Sequence, residues 1–134
     1  MRRTLAILWA APYSLFGLLL APFFSSHRSR HGVLLCEGAA WPRRLGWRYR
    51  AITFGHVVLA IDRLDPATLA HELIHVRQYE MWGPLMVPAY LLASAWALVR
   101  GRAPYTDNAF EVVARRDGPP LALALAEDKA TGGA

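Results

Sequence analysis

Between Asp65-Pro66 and Gly83-Pro84 lies a segment whose two ends are both punctuated for a helix. Asp65 offers a carboxylate oxygen as an N-cap, and Pro66 suits the first helical position, where its missing N–H costs no hydrogen bond. Gly83 and Pro84 carry the signals that end such a helix after Trp82. On the helical wheel Leu69, Leu73 and Val76 form one apolar flank, Ala70, Ile74 and Met81 another, and His71, His75, Gln78 and Trp82 the stripe between them. Apolar residues on two flanks predict an interior helix. Two imidazoles carried into an interior need a partner, because an unsatisfied buried polar group is costly.

Those imidazoles belong to His71-Glu72-Leu73-Ile74-His75. A spacing of four projects both rings from one helix face about a turn apart, which suits two ligands of a single tetrahedral zinc ion. Glu72 falls about 100° around the helix from His71, where it can take a proton from water without ligating the metal. A catalytic zinc site needs a third protein ligand and one open position. The downstream candidates are Glu80, Asp107, Glu111 and Asp117. Glu80 points away from the motif face. Glu111 is favoured because it stands in the first turns of a later helix, facing inward beside Phe110 and Ala114, after a connector long enough for an antiparallel return. Cys36, the one cysteine, excludes an internal disulfide and any multi-cysteine zinc site, and reads as a small hydrophobe in a strand.

The rest of the chain predicts an α+β fold with a small three-stranded sheet, an N-terminal apolar helix and a second apolar helix. Thr4 to Phe24 is uncharged, follows Arg2 and Arg3 and is interrupted by Pro12 and Pro22, the pattern of an uncleaved membrane anchor or an interfacial helix, expected ahead of a signal peptide or a buried core helix. Ser25 to Gly32 reads as a polar linker. Val33–Cys36, Trp47–Ile52 and Thr53–Ile61 read as strands, with Pro42 and Gly46 in the turns. Leu85 to Val99 is short for a crossing, which needs about twenty residues, so a buried or half-inserted helix is expected ahead of a span. Asp107 or Asn108 caps a third helix that Gly118, Pro119 and Pro120 stop, leaving at most one weak turn at Leu121–Ala126 and a disordered tail. The segments are thus 1–24 as anchor, 25–118 as the folded domain and 119–134 as tail.

A hydrophobic fraction of 54%, with five Trp and five Tyr suited to a bilayer interface, implies membrane association, here with a membrane of the bacterial inner type. The net charge of +5 comes from arginines and a single lysine, Lys129. Because the arginines border apolar segments and no nucleic-acid module appears, membrane lipid headgroups are the expected partners and nucleic acid is not. Arginines flank both apolar segments at both ends, so orientation stays undecided.

His71-Glu-x-x-His75 followed by Asn108-Ala-Phe-Glu111-Val-Val-Ala114 resembles the gluzincin class of zinc metallopeptidases, and its second half is similar to integral-membrane and small minimal gluzincins. The resemblance runs from about Thr53 to Arg116. It implies a zincin-like active-site helix, a Zn2+ cofactor on His71, His75 and Glu111, Glu72 as general base, and a peptide or protein substrate. It also implies that Thr53–Ala60 lies along the cleft as a strand pairing with that substrate. Arg115 stands where an aspartate often supports a ligand, which makes Asp107 the candidate for that support, with His56 and Tyr105 as candidate donors to the oxyanion. The competing reading is a non-catalytic membrane protein with a structural or degenerate zinc site.

Overall fold

Ser26–Arg30 has neither an apolar face nor β-branched residues, yet it forms a strand, because the apolar run Val33–Cys36 after it supplies a partner. The computed structural model describes residues 1–47 and 49–132, so the expected strand Trp47–Ile52 and the end of the tail lie partly outside the described residues. The fold is mixed α+β. It divides into two compact units, Met1–Leu64 with Val76–Pro84 and Asp65–His75 with Leu85–Ala134.

The first unit holds helix α1 (Arg2–Leu20), strands β1 (Ser26–Arg30) and β2 (Val33–Glu37), a single helical turn α2 (Trp41–Arg44), and strands β3 (Ala51–Phe54) and β4 (Val57–Ala60). Four strands, not the expected three, make one sheet in the order β1-β2-β4-β3. The stretch read as a linker supplies β1, antiparallel to β2 across a turn at His31 and Gly32, both at positive φ. The stretch read as one strand from Thr53 to Ile61 turns back at Gly55, whose φ of 61° a side-chain-bearing residue rarely adopts, and yields the antiparallel β3–β4 hairpin. β2 and β4 then pair in parallel, Leu34 opposite Val57 through Glu37 opposite Ala60. β4 is therefore a central strand, buried along its whole length, with both hydrogen-bonding edges taken. The expectation that Thr53–Ala60 offers a strand edge to a peptide is corrected accordingly. Only the β3 part of it lies at a sheet edge.

Ala10, Ser14 and Gly17 form the small-residue stripe by which α1 meets this hairpin. A Cβ on Gly17 would sit 2.6 Å from Val57 Cβ, and Ser14 Oγ accepts the His56 N–H at 3.0 Å. Ala21, Phe24, Cys36, Val57 and Leu59 form one core cluster, edged by Trp41 and Phe54. Glu37 is buried and ties three segments: Arg28 donates to it through Nε at 2.6 Å and Nη2 at 3.1 Å, and the Leu64 N–H donates at 2.6 Å. Opposite its stripe α1 presents Leu8, Leu15 and Leu19 as exposed side chains, while the half-exposed Phe16 meets Phe54 edge-on.

Helix α3 (Pro66–Trp82) begins where Asp65 and Pro66 predict, and Asp65 Oδ1 accepts the Thr68 N–H at 3.1 Å. Its residues up to His75 belong to the second unit, with α4 (Met86–Val99) and α5 (Ala109–Ala130). α4 is not the buried helix that was one expectation: only Met86 and Ala97 are buried, while Leu91, Leu92, Trp96 and Leu98 are exposed. Nor is it an isolated short segment, since Pro66–Val99 is one helical run of 34 residues through a tight turn at Gly83–Leu85. That run and Arg2–Phe23 are both long and apolar enough to cross a membrane by length and composition.

α5 overruns its predicted stop and reaches Ala130, so most of the segment read as a disordered tail is helical. Pro119 and Pro120 remove two adjacent backbone donors but stand at exposed positions, and their fixed φ is helical in value. Glu111, Ala114 and Gly118 are the buried positions of this helix, spaced at three and four along one face. Packing of that face outweighs the local breaker signal.

Candidate metal centre

α5 starts at Asn108, whose side-chain oxygen accepts the Phe110 N–H at 2.9 Å. Asn108-Ala-Phe-Glu111 has the spacing of a capping box, in which the glutamate reaches back to the cap N–H. It does not close here. The Asn108 N–H donates to the Tyr105 carbonyl at 3.2 Å instead, leaving Glu111 free to turn inward. As a first-turn acid it still benefits from the positive end of the helix dipole.

On α3, one turn apart, His71 and His75 present their rings with centroids 5.0 Å apart and planes at 74°. His71 Nε2 lies 3.1 Å from Glu111 Oε2. His75 Nε2 lies astride the same carboxylate, 3.3 Å from Oε2 and 3.2 Å from Oε1. A ligand atom from each of the three residues falls within 4.8 Å of the other two. The His75 and Glu111 side chains are 9% and 5% exposed, whereas His71 keeps 24%, so the cluster is closed on the protein side and reachable from His71. Glu72 is buried directly beside it in sequence.

Burial opposes charge on Glu111, but hydrogen bonds from His71, His75 and Tyr90 outweigh it and hold the carboxyl well below the usual carboxylate range. An ionised carboxylate in so dry a place requires positive charge or protons close by. Protons on the two Nε2 atoms meet that need in the arrangement described, and a divalent cation meets it equally. Two neutral imidazoles and one carboxylate form the donor set that zinc takes in sites keeping a position for water. Among the described residues no fourth histidine, cysteine or acid joins them. The residues therefore fit the metal.

The other residues named from sequence lie as follows. His56 belongs to the first unit, where its Nε2 pairs with Glu80 at 3.2 Å. Tyr105 is exposed in the connector before α5. Asp107, also exposed, closes the α4–α5 connector by accepting the Ala103 N–H at 2.9 Å. Arg115 does not pair with Glu111; its guanidinium donates to the Thr106 carbonyl.

One participant was not foreseen. Tyr90 on α4 donates its hydroxyl proton to Glu111 Oε1 at 2.8 Å and stacks on Phe110, centroids 6.1 Å apart. Asn108, fully buried, donates to the Tyr90 carbonyl at 2.9 Å and to Ser94 Oγ at 2.8 Å. The only trace of this in the sequence is a phenol and a hydroxyl four residues apart, at 90 and 94, in an otherwise apolar run. No protein-family model, curated protein or solved structure matches the chain, so the chemistry of these residues carries the functional argument.

Proposed function

We propose that this chain is a zinc-dependent peptidase acting at a membrane, with the metal on His71, His75 and Glu111 and with Glu72 as general base. The supporting observation is the convergence of two histidines from α3 and one buried glutamate from α5 within 4.8 Å. The ion, when bound, supplies Lewis-acid polarisation of a scissile carbonyl. His71 and His75 act through Nε2 lone pairs, which requires their remaining protons on Nδ1. Glu72 accepts a proton from water as the water oxygen bonds to the carbonyl carbon, and returns it to the amine as the C–N bond breaks.

Three protein donors with partial access at His71 favour a catalytic site over a purely structural one, which usually fills its fourth position with protein. The exposed apolar surface of α1, together with two helices of crossing length, supports a membrane setting and substrates presented at one. Glu72→Gln tests the reading with a quenched-fluorescence peptide library in detergent micelles. A drop in turnover of about 10²- to 10⁴-fold with zinc content unchanged is expected. Equal cleavage by both proteins contradicts it.

A further inference from the structure

The proposed zinc site leaves the Tyr90 hydroxyl without a stated role, although its 2.8 Å hydrogen bond to Oε1 is shorter than either histidine contact to the carboxylate. We infer that Tyr90 is a positioning residue that occupies one oxygen of Glu111, so that the carboxylate offers the metal a single oxygen and a coordination position stays open for water. The inference rests on the zinc reading above and deepens it.

The two carboxylate oxygens are not equivalent. Oε1 accepts from Tyr90 at 2.8 Å and lies 3.2 Å from His75 Nε2, whereas Oε2 faces both histidines, at 3.1 Å from His71 and 3.3 Å from His75, and has no phenol on it. A carboxylate with both oxygens free can clasp a cation through the pair, and the second oxygen then competes for the position that substrate or water must take. A phenol held on Oε1 opposes that by making the hydrogen-bonded oxygen a poorer donor. Such partners of a ligand commonly change metal affinity by about ten- to a hundredfold when removed.

Tyr90 is itself fixed from two sides. Its ring stacks on Phe110, the residue before Glu111, so phenol and carboxylate are referenced to the same turn of α5. Its carbonyl accepts from Asn108, the cap of that same helix, which also holds Ser94 one turn further along α4. A hydroxyl held only for solubility would have no reason to be buttressed in this way.

The test compares wild-type chain with Tyr90→Phe, which keeps the ring and its stacking. Zinc affinity is read by competition with a chromogenic chelator, and geometry by visible absorption after cobalt replacement, where four-coordinate sites absorb strongly and five- or six-coordinate sites weakly. Wild type is expected to give the strong spectrum, and Tyr90→Phe a weaker one as the freed second oxygen of Glu111 joins the ion, with zinc affinity shifted about ten- to a hundredfold. Identical spectra and affinities for the two overturn the positioning role and leave the zinc site standing. Absence of metal uptake by wild type overturns the site itself and the inference with it, and is seen before the variant is examined. If Tyr90→Phe loses its near-ultraviolet circular dichroism, the infrared splitting of the glutamate carboxylate stretches in zinc-loaded wild type decides instead. A wide splitting, as for one-oxygen ligation, is expected, and a narrow one overturns the inference.

Discussion

Gly118 of α5 lies against the backbone of His71 on α3: a Cβ added at 118 would come 3.5 Å from both the Cα and the N of His71. The close approach of these two helices carries Glu111, seven residues earlier on the same face, to the imidazoles. Two substitutions separate the consequences. Gly118→Ala fits at ordinary contact distance and removes a helix-interior glycine, so it should stabilise by up to about 1 kcal/mol in urea unfolding and leave zinc content unchanged. Gly118→Leu has to push the helices apart and should abolish metal binding. Retention of zinc by the leucine variant would mean that the close contact at Gly118 is not what holds Glu111 at the imidazoles.

Asn108 is expected to be among the most sensitive positions in the chain. It is fully buried, caps α5 and donates to two groups on α4. Asn108→Ala removes the cap and leaves the Tyr90 carbonyl and Ser94 hydroxyl short of a donor, a loss of about 2–4 kcal/mol in equilibrium unfolding. Asn108→Asp keeps the cap oxygen but places a buried carboxylate oxygen against the Tyr90 carbonyl, and should be no more stable than Asn108→Ala.

Glu37 sets an acid limit in the first unit. The Arg28 hydrogen bond, opposed by burial and assisted by the Leu64 N–H and the charges of Arg28 and Arg63, lowers its folded-state pKa from 4.5. A lowered folded value means stability that is fully present above the unfolded pKa and is lost as pH falls through the folded one. Wild type should therefore lose stability below about pH 4.5 more steeply than Glu37→Gln, which should already be weaker at neutral pH. Parallel curves for the two proteins across that window would remove Glu37 as the cause.

Much of this was legible where local chemistry and packing agree. Asp65-Pro66 does begin α3, and Asp65 does cap it, because both signals act within one turn and no distant contact opposes them. His71, His75 and Glu111 also meet, since a spacing of four fixes the histidines and an inward position in a first helical turn fixes the acid. The failures share one cause. Ser26–Arg30 is a strand only because β2 pairs with it, Pro119-Pro120 stays helical only because the Glu111, Ala114 and Gly118 face is packed, and Thr53–Ile61 folds back through a single glycine. Tyr90 was invisible for the same reason, as its importance depends on which carboxylate another helix brings beside it.

Leu15 and Leu19 on α1 are 61% and 73% exposed, on a helix long and apolar enough to cross a membrane. If that surface faces lipid, wild type should float with vesicles of mixed neutral and anionic phospholipid, and Leu15→Glu with Leu19→Glu should weaken the association by several kcal/mol, on the order of 1.5–3 per leucine. Flotation unchanged by the double substitution would assign membrane contact elsewhere or nowhere.

A single ion held by His71, His75 and Glu111 underlies all of the proposed chemistry. Elemental analysis after dialysis against trace zinc, done on wild type, His75→Ala, Glu111→Gln and Glu72→Gln, addresses it without any substrate. One equivalent in wild type and in Glu72→Gln, with little or none in the other two, is the predicted result. Zinc that never binds wild type, or that stays at one equivalent in His75→Ala, would contradict the metal centre and every chemical step built on it.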